Sequence, residues 1–313
     1  MQCRHWETLR KSEVQSGHCE IREVGRTSVN TITEVAVCKY PQHDIPMTKV
    51  EFLNCGKQIS ATANELQRFD GYFHSSAPRL FRSCEMFRLF ECNLGDVLEI
   101  GPFYGYTPFI LRNIAKSYTV IEGDDPAVYP LKELYKQNDI DLIFSDFAEI
   151  FGPLRGAQHK LDLPDSKYDL ILCWQTMEHF NFNPVKWVRE LYRILKPGGR
   201  VCITVPNKAS FQALTSIIFG RGEKELIANF FRHENYECDG KKAFYGFHWR
   251  EYSPPELQKL FFDVGFKINK CCSFAEFQDK KTTLMRDFLR LFSRIGTQMF
   301  PRYGTNVLLE ATK

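Results

Sequence analysis

Acidic and histidine side chains follow three short apolar segments of the sequence, and they can bind hydroxyl groups or move protons. In the first segment, Glu99 is followed by Gly101 and Gly105. The second segment ends at Glu122, and the third is followed by His179. Glycine lets the backbone approach a ligand closely, carboxylates accept hydroxyl hydrogens, and a neutral imidazole accepts a proton. The pattern indicates a site for a nucleoside-like ligand beside a group that can remove a proton.

The glycine-bearing segment 97–105 reads E-x-G-x-x-x-G, whereas a dinucleotide-binding turn reads G-x-G-x-x-G. A turn of this kind between a strand and a helix offers backbone N–H groups to an anionic ligand. An acid that closes the second strand can accept both hydroxyl hydrogens of a ribose. Glu122 is the predicted acid, with Asp124 as the alternative.

These residues need a parallel sheet to bring them to one edge. Apolar runs that alternate with amphipathic helical stretches predict a doubly wound, mostly parallel, Rossmann-like α/β sheet of seven strands with an antiparallel last strand. The predicted strands are 96–100, 118–122, 142–145, 168–174, 200–205, 265–269 and 305–311. Asn183-Pro184 predicts a helix start, and Lys196-Pro197-Gly198-Gly199 predicts a turn after that helix.

The rest of the chain divides around this sheet. Residues 1–60 are predicted to form an N-terminal β-leaning appendage, with strand-like pieces at 31–40 and 49–54. Residues 61–313 are predicted to form the main domain, with a core at 93–206, a lid insertion at 207–247, and a C-terminal helix and strand pair at 248–313.

Composition narrows the class of protein. The chain has 313 residues, a net charge of +3 and 43% hydrophobic residues, so it can bury a core but carries too little charge to predict nucleic-acid binding. Its 11 cysteines form no C-x-x-C pair, and no leader or membrane span is visible, so we expect a cytoplasmic protein.

An amphipathic stripe at 282–300 sets apolar residues opposite arginines. It predicts one of three contacts: docking on the domain itself, pairing in a homodimer, or peripheral contact with a membrane or a lipid-linked substrate, without stable insertion.

The stretch from 95 to 207 resembles the core of the class I S-adenosylmethionine-dependent methyltransferases. The resemblance rests on the glycine-rich first loop, the acid after the second strand, the YDLI strand followed by Glu178-His179, and the LKPGGR turn. The tail, with His248-x-Arg250-x-Tyr252-Ser253-Pro254, is also similar, so about two-thirds of the chain is covered. Methyltransferases of bacterial glycan clusters and ubiquinone-type O-methyltransferases are the most similar groups.

The resemblance implies a role for each matching residue toward S-adenosylmethionine. Glu99, Gly101 and Gly105 would line its methionine part, and Glu122 would bind its ribose. Asp146 would bind adenine, with Asp162 as the alternative. The loop departs from the commoner E-x-G-x-G-x-G form because Phe103 replaces the middle glycine.

The resemblance also implies how the methyl acceptor is handled. His179 or His248 would assist the removal of a proton from a hydroxyl acceptor, or would shape the cleft. We expect no metal, because Gln175 replaces an acid found in metal-dependent relatives. The expected function is O-methylation of a sugar, glycan or other small hydroxylated metabolite. The alternatives are a catalytically silent binding subunit and an NAD-dependent dehydrogenase.

Overall fold

The computed structural model describes residues 47–62, 70–103, 106–123, 128–152, 159–218, 220, 237–238, 241–242, 248–275, 295 and 299–313. Four predicted features lie outside these residues: the strand at 31–40, Gly105, most of the lid at 207–247 and most of the stripe at 282–300.

A seven-stranded sheet forms the centre of the fold. Its strands are β1 Asp96–Ile100, β2 Ser117–Glu122, β3 Ile140–Phe144, β4 Tyr168–Trp174, β5 Leu195–Pro206, β8 Lys267–Phe274 and β9 Asn306–Thr312, and a separate two-stranded ribbon pairs β6 Glu237–Cys238 with β7 Lys241–Lys242. The order in the sheet is β3-β2-β1-β4-β5-β9-β8. Strands β1 to β5 are parallel, and β9 runs antiparallel to both β5 and β8. The predicted fold class is confirmed.

Helices cover both faces of this sheet. Those of the described residues are α1 Lys49–Thr62, α2 Asp70–Met86, α3 Tyr106–Leu111, α4 Lys132–Gln137, α5 Phe147–Phe151, α6 Pro184–Ile194, α7 Phe211–Ile218 and α8 Pro254–Val264, with short 3-10 turns between several of them. Helix α6 begins as predicted, because the Asn183 side chain accepts from the Val185 N–H at 3.0 Å. None of these helices is both long and apolar enough to cross a bilayer.

The strand predicted at 49–54 is wrong, because these residues open α1. Thr48 and Glu51 cap the helix reciprocally: each backbone N–H donates to the other side chain, at 2.7 and 3.3 Å. Phe52, Cys55 and Ile59 are buried at helical spacing and join the core cluster beneath α2 and α3. This part of the predicted appendage therefore packs on the main domain.

The two sheet faces bury different helices because side chains alternate along each strand. Val97 belongs to the cluster that includes residues of α1, α2 and α3, whereas Leu98 and Ile100 belong to the cluster that includes residues of α6 and α8. Trp187 of α6 is fully buried on that second face. The sheet is thus covered on both faces, which leaves the ends of its strands for a ligand site.

Ion pairs hold the amino edge of the sheet. Lys196 Nζ contacts Asp96 at 2.8 Å and Asp169 at 2.7 Å, and Asp169 accepts the Asp96 N–H at 2.8 Å. These contacts, Lys196 foremost, hold the pKa of Asp96 well below its usual range. Lys196 lies in the segment predicted as a turn after α6; instead β5 begins at Leu195, and a register shift between Tyr168 and Leu170 accommodates the Pro-Gly-Gly sequence.

Candidate active site

The glycine loop and Glu122 meet at the carboxyl edge of the sheet, as the sequence predicted. The Glu122 carboxylate accepts the backbone N–H of Phe103, and the Gly101 N–H donates to Ile121 O at 2.8 Å. Gly101 and Phe103 both have positive φ, 65° and 58°, which folds the loop back over β2. Glu122 is only 5% exposed, so its charge is directed into the loop.

Glu99 lies below this loop, inside the core. Its side chain has no exposure, and its carboxylate accepts hydrogen bonds from the hydroxyls of Thr107 and Tyr118. The indole N–H of Trp174 is buried and makes no hydrogen bond to a described residue, although Trp174 lowers the pKa of Glu99. Burial raises the pKa of Glu99 to about 7. These contacts support the loop from beneath, and a direct contact of Glu99 with methionine stays a prediction.

Thr176 joins the end of β4 to the glycine loop, and sequence reasoning did not single it out. Its hydroxyl lies 3.0 Å from Trp174 O and 3.2 Å from Gly101 O. A Cβ added at Gly101 would lie 2.5 Å from its methyl carbon. Gln175 beside it has a φ of 49°, a backbone conformation that is uncommon outside glycine and often marks a functional site.

Asp146 and Asp162 lie in different surroundings. Asp146 follows β3 next to Ser145, whose N–H donates to Glu122 O at 2.9 Å, and its side chain caps α5 by accepting the Glu149 N–H at 3.0 Å. Asp162 is exposed, and its neighbour Leu161 is held by α6 through the Glu190 carboxylate at 2.6 Å. The structure therefore places Asp146 beside the ribose-binding candidate.

The two candidate histidines lie together, although they are far apart in the sequence. Their ring centroids are 5.0 Å apart, and the rings meet edge to face at 69°. Backbone bonds bring them together: Glu178 O accepts from the N–H groups of Trp249 at 2.8 Å and Arg250 at 3.3 Å. Each side chain is partly exposed, so the pair faces a solvent-accessible region at the carboxyl edge.

Glu178, in the turn that carries His179, is almost fully buried at 1% exposure, and its Oε2 atom has no hydrogen-bond partner. Burial raises its pKa to about 7, while the nearby charges of His248 and Arg79 lower it. Sequence reasoning named the 175–179 segment but assigned Glu178 no role. The available signal was its position between an apolar strand and a histidine.

An open depression at the opposite, amino edge is a different feature. Its lining includes Arg88, Lys196 and Arg200 together with Glu91 and Asp169, and it contains none of the predicted site residues. Ligands of open α/β sheets bind outside the carboxyl ends of the strands, so this depression is not the candidate active site.

Known proteins resemble the chain in this region. Two proteins described as probable S-adenosylmethionine-dependent methyltransferases are similar: one of Mycobacterium tuberculosis is 26% identical over 176 residues, and one of Mycolicibacterium smegmatis is 27% identical over 121 residues. These alignments cover 56% and 39% of this chain and 50% and 42% of the relatives, so the chain spans about half of their length.

A solved structure and a family model also resemble this chain. A Haloferax volcanii methyltransferase, solved in complex with an activator, matches 84% of this chain and 97% of its own at 16% identity, with a TM-score of 0.49. A family model described as a methyltransferase domain matches residues 72–270. Because that match spans well over half of the sequence and includes the glycine loop, Glu122 and both histidines, the chain belongs to the methyltransferase-domain family and has the class I fold.

Proposed function

We propose that this protein transfers the methyl group of S-adenosylmethionine to an oxygen of a sugar, glycan or other small hydroxylated metabolite. One observation carries the proposal: the Glu122 carboxylate and the glycine loop meet at the carboxyl edge, beside which two histidines face each other. The descriptions of the mycobacterial relatives support the cofactor assignment.

The cofactor would lie along this edge in three parts. Glu122 would bind the ribose, and the loop at Gly101 would approach the methionine part. Asp146 would reach adenine, because β3 ends next to β2 and Glu122 pairs with Phe144 in the sheet. Gly105 lies outside the described residues, so its role stays a prediction, as does that of Glu99.

The acceptor would lie between the cofactor's methyl group and the histidine pair. The sulfonium already carries an activated methyl group, so the protein must mainly hold the acceptor oxygen in line, about 3–3.5 Å from the methyl carbon. A hydroxyl also has to lose its proton, and an imidazole of the pair can accept it. Trp249, next to His248, is 41% exposed and offers a broad apolar surface to a ring.

The test is a labelling experiment with trideuteromethyl S-adenosylmethionine. Panels of sugars, glycans and small phenolic or aliphatic alcohols are incubated with the protein, and mass spectrometry follows the gain of one labelled methyl group. We expect the label on oxygen, and we expect His179→Asn and His248→Asn to reduce transfer while His74→Asn, on the exposed side of α2, does not. Label found only on nitrogen or carbon acceptors would contradict the proposal.

The alternatives give different results in a thermal-shift comparison. A methyltransferase is stabilised by S-adenosylhomocysteine, whereas a dehydrogenase is stabilised by NAD. A catalytically silent relative would bind S-adenosylhomocysteine and yet transfer no label to any acceptor.

Surface contacts outside the site stay predictions. In the stripe at 282–300, the described residues Ile295, Met299 and Phe300 are 46%, 67% and 48% exposed. This exposure supports a contact of these three residues with a second copy or with a lipid surface. In the predicted lid, Ile217 and Ile218 of α7 are also exposed.

A further inference from the structure

Three side chains at the candidate active site have the chemistry and spacing of metal ligands. A carboxylate oxygen of Glu178 and one ring nitrogen each of His179 and His248 all lie within 4.8 Å of one another. Glu178 is buried, whereas both imidazoles are partly exposed. The group therefore has a protein-covered side and a side that is open to a substrate.

The buried oxygen of Glu178 is the first sign that something is bound here. Its Oε2 atom is shielded from solvent and has no hydrogen-bond partner. An unsatisfied buried polar atom costs about 1–3 kcal/mol, and more when it is charged. A cation that is shared with the two imidazoles would remove this cost.

The environment of His248 is the second sign. Its Nδ1 atom lies 3.3 Å from Glu251 Oε1. Histidines that bind metals almost always pass their other ring N–H to a carboxylate, a carbonyl or water, which fixes the tautomer. An Nδ1–H that donates to Glu251 leaves the lone pair on Nε2, the nitrogen that would bind the cation.

Charges around the group also favour a cation. Glu178 and Glu251 bring two carboxylates, whereas Arg79 on α2 brings one opposing positive charge. Imidazole suits Zn²⁺, Fe²⁺, Co²⁺ and Ni²⁺, whereas Mg²⁺ and Ca²⁺ prefer oxygen ligands. Two histidines and one glutamate form a ligand set that is known from catalytic zinc sites, which keep a position open.

We propose that Glu178, His179 and His248 bind one divalent transition-metal ion and that the acceptor hydroxyl occupies its open position. The sequence-based expectation of no metal considered Gln175, which is not part of this group. The inference rests on the proposed function and changes the role of the histidines from proton acceptors to metal ligands.

The reaction balances without an oxidant or a reductant. Binding to the cation lowers the pKa of the acceptor hydroxyl, so its O–H bond breaks and the proton leaves to water. The oxygen then forms a bond to the methyl carbon while the carbon–sulfur bond breaks. The electron pair of that bond stays on sulfur and leaves neutral S-adenosylhomocysteine.

Metal binding is tested directly, apart from activity. The full chain is stripped with EDTA, dialysed against a low concentration of Co²⁺ or Zn²⁺, and analysed for bound metal by plasma mass spectrometry. The visible absorption of Co²⁺ reports on its ligands. We expect His179→Asn and His248→Asn each to bind one equivalent less than the wild type, and His74→Asn to bind as the wild type does. We expect Glu251→Gln to weaken metal affinity about 10–100-fold.

The outcomes separate this inference from the proposed function. If the histidine variants fold, as judged by circular dichroism, and retain as much metal as the wild type, the cation site is refuted. It is equally refuted if the wild type binds no metal while methyl transfer still depends on the histidines, and the proposed function then stands. If each histidine variant loses the metal and the wild type methylates no hydroxyl, the cation site is supported and the proposed acceptor class is refuted.

Discussion

Gly101 is the position where a single added carbon should damage the cofactor loop most. Its φ is 65°, and a Cβ placed there would lie 2.5 Å from Thr176 Cγ2 and 2.8 Å from Thr176 Oγ1. The left-handed backbone destabilises a folded alanine by about 1–2 kcal/mol, and an overlap of this size adds about 1–3 kcal/mol. We therefore expect Gly101→Ala to lower the free energy of unfolding by about 2–5 kcal/mol.

Gly198 provides a matched control. It also has a positive φ, 77°, but no atom lies within 4 Å of an added Cβ, and it is at the opposite edge of the sheet. Gly198→Ala should therefore cost only the backbone part, about 1–2 kcal/mol. The difference between the two variants measures the overlap with Thr176.

A double-mutant cycle and a binding assay complete this test. Thr176→Ala removes both close atoms, so it should recover about 1–3 kcal/mol in the Gly101→Ala background. Urea denaturation gives the unfolding free energies, and calorimetry gives the affinity for S-adenosylhomocysteine. We expect Gly101→Ala alone to weaken this affinity at least about tenfold, which corresponds to a loss of about 1.4 kcal/mol.

The opposite result would be a Gly101→Ala variant that matches Gly198→Ala in stability and binds S-adenosylhomocysteine as the wild type does. The close packing of Thr176 on the loop would then have no part in shaping the cofactor site.

Three further predictions concern the acids of the site. Glu122→Gln should weaken S-adenosylhomocysteine binding about tenfold by calorimetry, and should leave unchanged the affinity for an analogue that lacks both ribose hydroxyls. Between pH 4.5 and 7 the unfolded chain loses the Glu99 proton that the folded chain keeps, so Glu99 should lower wild-type stability by about 3 kcal/mol as pH rises through this window, in addition to the contribution of Glu178. Urea denaturation of Glu99→Gln should lack that component, and an equal slope in both proteins would disprove it. Asp146→Asn keeps an oxygen that can cap α5, so it should keep the melting temperature while weakening cofactor binding about fivefold. Asp162→Asn should change neither the melting temperature nor the cofactor affinity.

The seven strands of the sheet and the meeting of the glycine loop with Glu122 could be predicted from the sequence. Both follow from local patterns: apolar runs mark buried parallel strands, and the residues that end such strands share one edge. The start of α6 was also marked locally, by Asn183 and Pro184.

Features that depend on tertiary contacts were harder to predict. The segment at 49–54 shows too few apolar residues to reveal its helical period until Ile59 is included, and it was predicted as a strand. Nothing near His179 in the sequence indicates that His248 packs against it, because backbone bonds to Glu178 determine that contact. The burial of Glu99 depends on Thr107 and Tyr118, which belong to other elements.

The two edges of the sheet carry different kinds of residues. Lysine and aspartate side chains tie the amino edge together, whereas the carboxyl edge holds the left-handed residues Phe103 and Gln175 and the segment that carries His248. Under the proposed function, substitutions that change the methyl acceptor can therefore accumulate at one end of the strands while the other end keeps the fold intact. A laboratory search for new acceptors can vary the exposed Trp249 and Arg250 while His248, Glu251 and the buried Tyr252 stay fixed. Asp96, Asp169 and Lys196 at the other end are left untouched.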